Sequence, residues 1–336
     1  MTRDASMMDR VLELPGQLEW GTTVDEPEVP HDRPILMLGM GGSAMGAAVG
    51  ALAAANAPRP IEIRRTYGLP EWAVASEALV VGVSYSGNTE EVLSGVARAL
   101  DAGLPVAAIA SGGVLAEQAS SHGFPLVAVP GGLQPRAAVG YQAAAAVRIL
   151  GGAGALSDGD GQLAEAADVL NSALGGGDGG AFVLGRDLGQ ALAGRITIVY
   201  GGIGPGALAA YRWKTQINEN AKAAAWWHEI PELNHNELQG WETLQALSNE
   251  SVGVLFLRDG GDHPQVKRRL DLTEEAIGGK VLVAGSVDST GTGPLARFFS
   301  LAAVGDIASV TMAEALGVDP TPVATIEAFK VKLTEG

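Results

Sequence analysis

The chain has 336 residues, 47% of them apolar, which is enough for two domains with buried cores. Its formal net charge of −16 argues against nucleic acid or an anionic membrane as a partner, and the absence of cysteine removes disulfides and thiolate-bound metals. That composition suits a reducing, cytoplasmic setting, and the N-terminal stretch MTRDASMMDRVLELPG lacks the apolar centre of a secretion signal.

In chain order, the first patterned segment is ILMLGMGGSAMGAAVGALAA, residues 35–54. The charge-free run from Ile35 to Ala57 is long enough to cross a bilayer. Its Gly/Ala content and central GMGG instead read as strand, glycine turn and helix. IEIRR (61–65) is a short strand, and residues 78–103, ALVVGVSYSGNTEEVLSGVARALDAG, repeat the strand–turn–helix pattern. PVAAIAS and PLVAVP are further strands with a helix between them, and QPRAAVG opens another helix. Short apolar runs alternating with helices predict an α/β fold, a parallel sheet covered on both faces in three layers. GGAGALSDGDGQ (151–162) and GGGDGG (175–180) have linker composition. Beyond them, RITIVYGGIGPGALAAYRWKTQ and VGVLFLRDGGDHPQ repeat the early layout, but without the serines. The expected organisation is an N-terminal segment over 1–33, a first domain over 34–155, a linker over 156–180, a second domain over 181–319 and a C-terminal amphipathic helix over 320–336.

The turn SYSGNTEE puts Ser84, Ser86, Asn88 and Thr89 where a strand hands over to a helix. Unpaired N–H groups and a partial positive charge at a helix start, joined by hydroxyl donors, make a phosphate cradle that needs no cation. The bland alternative is that one of these residues caps the helix. The earlier turn, Gly42 and Ser43 among its residues, admits a rival: G-M-G-G-S-A fits a loose dinucleotide fingerprint, with Glu62 near the ribose-binding position. Two hydroxyl-bearing turns in one half favour a single sugar phosphate held between them.

Residues 217–242, INENAKAAAWWHEIPELNHNELQGWE, are the densest polar stretch. Glu219 with Lys222 reads most simply as an exposed ion pair, and His235 as a solvated loop histidine. The spacing matches no helical metal site, so neither a metal nor a cofactor is expected.

GMGGSAMG, SYSGNTEEVL, QPRAAVG, NENAK and ELNHNELQGW, in that order, resemble the bifunctional phosphoglucose/phosphomannose isomerases, a family built from two sugar-isomerase (SIS) domains. The resemblance runs from about Pro34 to Leu333 and implies interconversion of glucose 6-phosphate and mannose 6-phosphate with fructose 6-phosphate through an enediol. It implies that Gly42, Ser43, Ser84, Ser86 and Thr89 hold the substrate phosphate. Glu219 would move the proton between C1 and C2, and Arg136 would stabilise the enediolate. His235, contributed by the neighbouring subunit of a homodimer with shared sites, would assist ring opening, and Lys330 would close over the site. Other members carry a threonine seven residues before the tail lysine. Here that position is Val323, which predicts a weaker mannose reaction, with Thr321 and Thr325 as alternatives two residues away. The alternatives to this function are a SIS isomerase, or a non-catalytic binder, for another sugar phosphate.

Overall fold

The computed structural model describes residues 5–334, so residues 1–4 of the N-terminal segment and 335–336 of the tail lie outside the description. The chain divides into two compact units. Within the described residues, one unit comprises 12–173 and 290–300, and the other 5–11, 174–289 and 301–334.

The first unit holds a five-stranded parallel sheet in the order β2-β1-β3-β4-β5. The strands are β1 (Ile35–Gly39), β2 (Ile61–Arg64), β3 (Leu79–Val83), β4 (Val106–Ala110) and β5 (Leu126–Ala128). Strands β1, β3 and β4 are buried along their whole length, because helices cover both faces. Ile35, Met37, Leu79, Val81 and Ile109 pack on one face with Ala145 and Ile149 of helix Val139–Gly152. Leu36, Leu38, Val80 and Ala108 pack on the other with Val92, Val96 and Leu115. Both faces are apolar, so these strands read as continuous runs rather than alternating ones.

The second unit holds a four-stranded parallel sheet, β7-β6-β8-β9, formed by β6 (Ile196–Gly201), β7 (Ala225–Glu229), β8 (Val252–Arg258) and β9 (Leu282–Asp288). By sequence of appearance this is the order of the first sheet without its last strand, as the internal repeat predicts. Strand β7 lies inside the polar stretch, and only its first three residues, AWW, are apolar.

Three features of the structure bear on the expected boundaries. The expected linker over 156–180 is largely the helix Gly159–Leu174. Its Leu163, Ala166, Ala167, Leu170 and Leu174 are buried, a spacing of three and four that the Gly/Asp composition of its start conceals. The N-terminal segment is not separate either: Gln17, on helix Leu14–Gly21, is buried and donates to the Ala137 carbonyl. Residues 290–300 go with the first unit, where the Glu165 carboxylate accepts from Thr292 and Gly293 N–H groups.

Helix Pro294–Leu316 is long and apolar enough to cross a membrane, but 94% of its most apolar window is buried inside the protein, as in a core helix. The tail helix Ala324–Thr334 forms as expected. Ile326, Phe329, Val331 and Leu333 on it are all exposed, so it buries no apolar face of the kind its amphipathic pattern suggested.

Candidate active site

In a sheet of this order, the loops after β1 and β3 diverge to opposite faces and leave a crevice at the carboxyl ends of the strands. The two hydroxyl-bearing turns lie there. Ser43 is buried at the start of helix Gly41–Ala53, and its Oγ accepts from the Tyr85 N–H at 3.0 Å. Ser84 Oγ and Thr89 Oγ1 are 2.8 Å apart, and Ser84 Oγ also accepts from the Thr89 N–H. The turn closes with Gly87 N–H on the Ser84 carbonyl. Gly87 has φ +72°, and a Cβ there would stand 1.8 Å from the Gly112 oxygen, so only glycine fits. Ser86 is exposed, with Oγ 3.3 Å from the Asn88 N–H.

Helix Glu90–Asp101 begins at Thr89, whose side chain makes no capping bond, and the helix starting after Met40 likewise has no side-chain cap. Capping of these helices therefore does not account for the hydroxyls. Asn88 has a separate task, since its Oδ1 accepts from the Val114 N–H. Glu62, the candidate ribose ligand of the dinucleotide reading, lies on β2 with its carboxylate 3.8 Å from Arg64.

The cradle is joined to Arg136, which is 3% exposed. A Cβ on Gly42 would lie 2.7 Å from Pro135 C and 2.8 Å from Arg136 N, so the glycine turn packs directly on the backbone of the arginine loop. Side chains from elsewhere in the chain hold that loop. Gln142 Nε2 donates to the Pro135 carbonyl at 2.9 Å, Gln17 Nε2 to Ala137, and the Tyr85 hydroxyl to Pro130. Gly42, Ser43, Ser84, Ser86, Thr89 and Arg136 thus belong to one unit and one end of one sheet.

Glu219, His235, Val323 and Lys330 belong to the other unit. Glu219 sits half-buried in a π-helical turn, Ile217–Ala221, an insertion that recurs at functional sites. Asn220, fully buried, donates to Ser309 Oγ at 2.9 Å, and Asn218 donates to the Ala223 carbonyl at 2.8 Å. Lys222 adopts φ +52° and its ammonium donates to the carbonyls of Glu219, Asn220 and Pro320 at 2.8, 3.2 and 3.0 Å. The expected ion-pair partner of Glu219 therefore ties the Glu219 turn to the segment leading into the tail helix. Val323 ends that segment, half-buried, its carbonyl accepting from Ile326 and Glu327. Lys330 is exposed on the tail helix.

His235 closes the short 3-10 turn Glu232–His235 with its side chain exposed. The residues beside it are clamped. Asn234 donates to Thr273 Oγ1 at 2.8 Å and accepts from Arg269 at 3.2 Å. Glu237 accepts from the Tyr200 hydroxyl and stands 3.2 Å from His228 Nδ1. Burial first, then the Glu237 charge, pushes the Tyr200 phenol well above its ordinary pKa, so Tyr200 remains a donor. Among the described residues, no group of three or more His, Asp or Glu side chains gathers as a metal site.

Sequence reading missed Tyr85, Gln17, Gln142 and Tyr200, which position rather than present chemistry. Only Tyr85, inside the serine motif, carried a local signal.

By architecture the chain has the fold of two-domain SIS phosphosugar isomerases. It is similar to the hypothetical protein TT0462 of Thermus thermophilus, with TM-score 0.72 and 16% identity over 99% of this chain and 91% of that one. It is similar also to tagatose-6-phosphate ketose/aldose isomerase from Escherichia coli, with TM-score 0.66 and 13% identity over 94% of each chain. Residues 184–333 match the bacterial phospho-glucose isomerase C-terminal SIS domain. The chain is 35% identical to the bifunctional phosphoglucose/phosphomannose isomerase of Caldicellulosiruptor bescii over 98% of this chain and 99% of that protein. To the Aquifex aeolicus protein of the same name it is 34% identical over 94% and 95%. The chain belongs to the bifunctional phosphoglucose/phosphomannose isomerase family. A D-glucosamine-6-phosphate 4-epimerase from Sulfolobus acidocaldarius is also related, 34% identical over 70% of this chain and 72% of that one.

Proposed function

We propose that the protein interconverts glucose 6-phosphate with fructose 6-phosphate, and mannose 6-phosphate more slowly, as a cytoplasmic homodimer. The observation that carries this reading is the cradle at the β1/β3 crevice, made of hydroxyls and helix starts without side-chain caps and packed onto the loop of a buried arginine.

The phosphate is held by Ser43, Ser84, Ser86, Thr89 and the backbone at Gly42, with no cation needed. Glu219 takes the proton from C2 of the open-chain aldose, α to the C1 carbonyl, and returns it to C1. Negative charge collects on oxygen in the intermediate, where the Arg136 guanidinium stabilises it. Opening the ring moves a proton between O1 and O5, a task for the His235 imidazole, with Lys330 assisting. An exposed side chain on a clamped turn supports His235 as a residue offered to a neighbouring subunit. The anchoring of Pro320 to the Glu219 turn by Lys222 supports a role for the Val323 segment in substrate choice.

A second reading, action on an amino-sugar 6-phosphate, is favoured by the related epimerase. The test is a coupled assay for fructose 6-phosphate formed from glucose and mannose 6-phosphates in EDTA, with glucosamine 6-phosphate followed by NMR alongside. Turnover of both hexose phosphates is expected. No turnover of either sinks the assignment, and conversion of glucosamine 6-phosphate alone supports the second reading.

A further inference from the structure

We infer that Tyr85 is a positioning residue for Arg136, coupling the phosphate cradle to the arginine loop. The inference rests on the role proposed above for Arg136.

Tyr85 lies between the two serines of the motif and is 5% exposed. From the loop after β3, its main chain and side chain bond to the start of the helix after β1 and to the segments after β4 and β5, all at the carboxyl ends of the strands. Its N–H donates to Ser43 Oγ in the first turn of the helix after β1, at 3.0 Å. Its carbonyl accepts from Ser111 Oγ at 2.6 Å and from the Ser111 N–H at 2.9 Å, in the loop after β4. Its hydroxyl donates to the Pro130 carbonyl at 2.8 Å and accepts from the Leu133 N–H at 3.1 Å, in the segment after β5.

Those last two bonds hold the stretch of chain that runs directly on to Arg136. The Pro135 carbonyl, just before Arg136, is held by Gln142, and the Ala137 carbonyl, just after it, by Gln17. The hydroxyl therefore anchors the start of the loop, and the main chain of the same residue is fastened to the cradle serine. A phosphate seated on Ser43 and a guanidinium carried after Leu133 are referred to one rigid point. A misplacement of the guanidinium weakens the interaction that develops in the transition state, while the phosphate contacts are unaffected.

Tyr85→Phe keeps the ring and its packing and removes the hydroxyl with its bonds to Pro130 and Leu133. Steady-state kinetics on fructose 6-phosphate, for wild type, Tyr85→Phe, Arg136→Ala and the double variant, test the coupling. Tyr85→Phe is expected to lower kcat about tenfold with KM within about twofold, and to have no further effect in the Arg136→Ala background. Protection of Tyr85→Phe against thermal unfolding by inorganic phosphate, equal to wild type, shows that fold and cradle are intact. An unchanged kcat, a raised KM at constant kcat, lost phosphate protection, or losses that multiply in the double variant each overturn the inference. Wild-type kcat in Arg136→Ala removes the arginine role itself, a failure distinguished from an ineffective Tyr85→Phe by the single variants alone.

Discussion

Gly42→Ala probes the junction between the anion cradle and the arginine loop. The new Cβ would stand 2.7 Å from Pro135 C, 2.8 Å from Pro135 O and 2.8 Å from Arg136 N, backbone atoms that cannot rotate away. Unstrained contact begins at 3.4 Å, so the two segments must part by about 0.7 Å. Overpacking of this kind costs about 1–3 kcal/mol. At roughly 2–4 °C per kcal/mol for a domain of this size, the fall in Tm is readable. The catalytic effect is larger in proportion, because a misplacement of about 1 Å between reacting groups is worth ~10²-fold. A loss of roughly tenfold to a hundredfold in kcat/KM is therefore expected in the coupled assay for fructose 6-phosphate. Gly16→Ala, in helix Leu14–Gly21 with nothing within 4 Å of the added Cβ, serves as the control: it leaves kcat/KM unchanged and does not lower Tm. Wild-type kcat/KM and Tm in Gly42→Ala would refute the packing of turn on loop from which the loss was worked out.

Glu219→Gln is expected to abolish isomerisation while fructose 6-phosphate still binds; retention of even about a tenth of kcat, ~1.4 kcal/mol of barrier, takes Glu219 out of the proton transfer. Ser86→Ala and Thr89→Ala should each raise KM by roughly tenfold or more, the worth of a hydrogen bond to a charged group at about 1.5–3 kcal/mol, and a fall in kcat at constant KM tells against a phosphate clamp. Glu219→Gln and His235→Ala proteins, each inactive, should regain activity when co-refolded, because one site of the mixed dimer is intact; no recovery in a confirmed mixed dimer returns His235 to its own subunit. Valine at 323 has nearly the shape of threonine without its hydroxyl, so Val323→Thr should raise the mannose rate selectively, by about tenfold for one hydrogen bond of ~1.4 kcal/mol. Equal kcat/KM for the two sugars in the wild type sinks that argument.

Much of the architecture is written locally in the chain. The apolar runs at 35–39 and 79–83 carry no charge because both faces of each strand are covered, and that pattern is visible without coordinates. The turn chemistry at Gly42–Ser43 and Ser84–Thr89 is equally local, since glycines and hydroxyls cluster only where backbone conformation and hydrogen bonding require them. The helix at 159–174 was hidden because composition drew attention to Gly159 and Gly161, while the evidence for it was the spacing of Leu163, Leu170 and Leu174. The strand at 225–229 was hidden because its short AWW run sits in a polar stretch and most of its residues, a histidine and a glutamate among them, are partly exposed at a sheet edge. The turn at Glu219 could be named from its motif, but not its π-helical form, which is held by Asn220 bonding to Ser309 and Lys222 to Pro320, 89 and 98 residues further on.

By itself the sequence determined the class of fold, the repeat, the two hydroxyl-bearing turns and the candidates for the chemistry, because strand burial and helix starts act over a few neighbouring residues. Only the tertiary structure decided that Gly42 meets Pro135 and Arg136, that Tyr85 ties the helix start after β1 and the segments after β4 and β5 to its own loop, and that Lys222 binds the tail segment to the Glu219 turn. The first two follow from strand order, which brings distant loops to one end of a sheet. The groups joined are mostly ordinary backbone N–H and carbonyl groups, and no residue type near them in the chain marks which distant partner each will find.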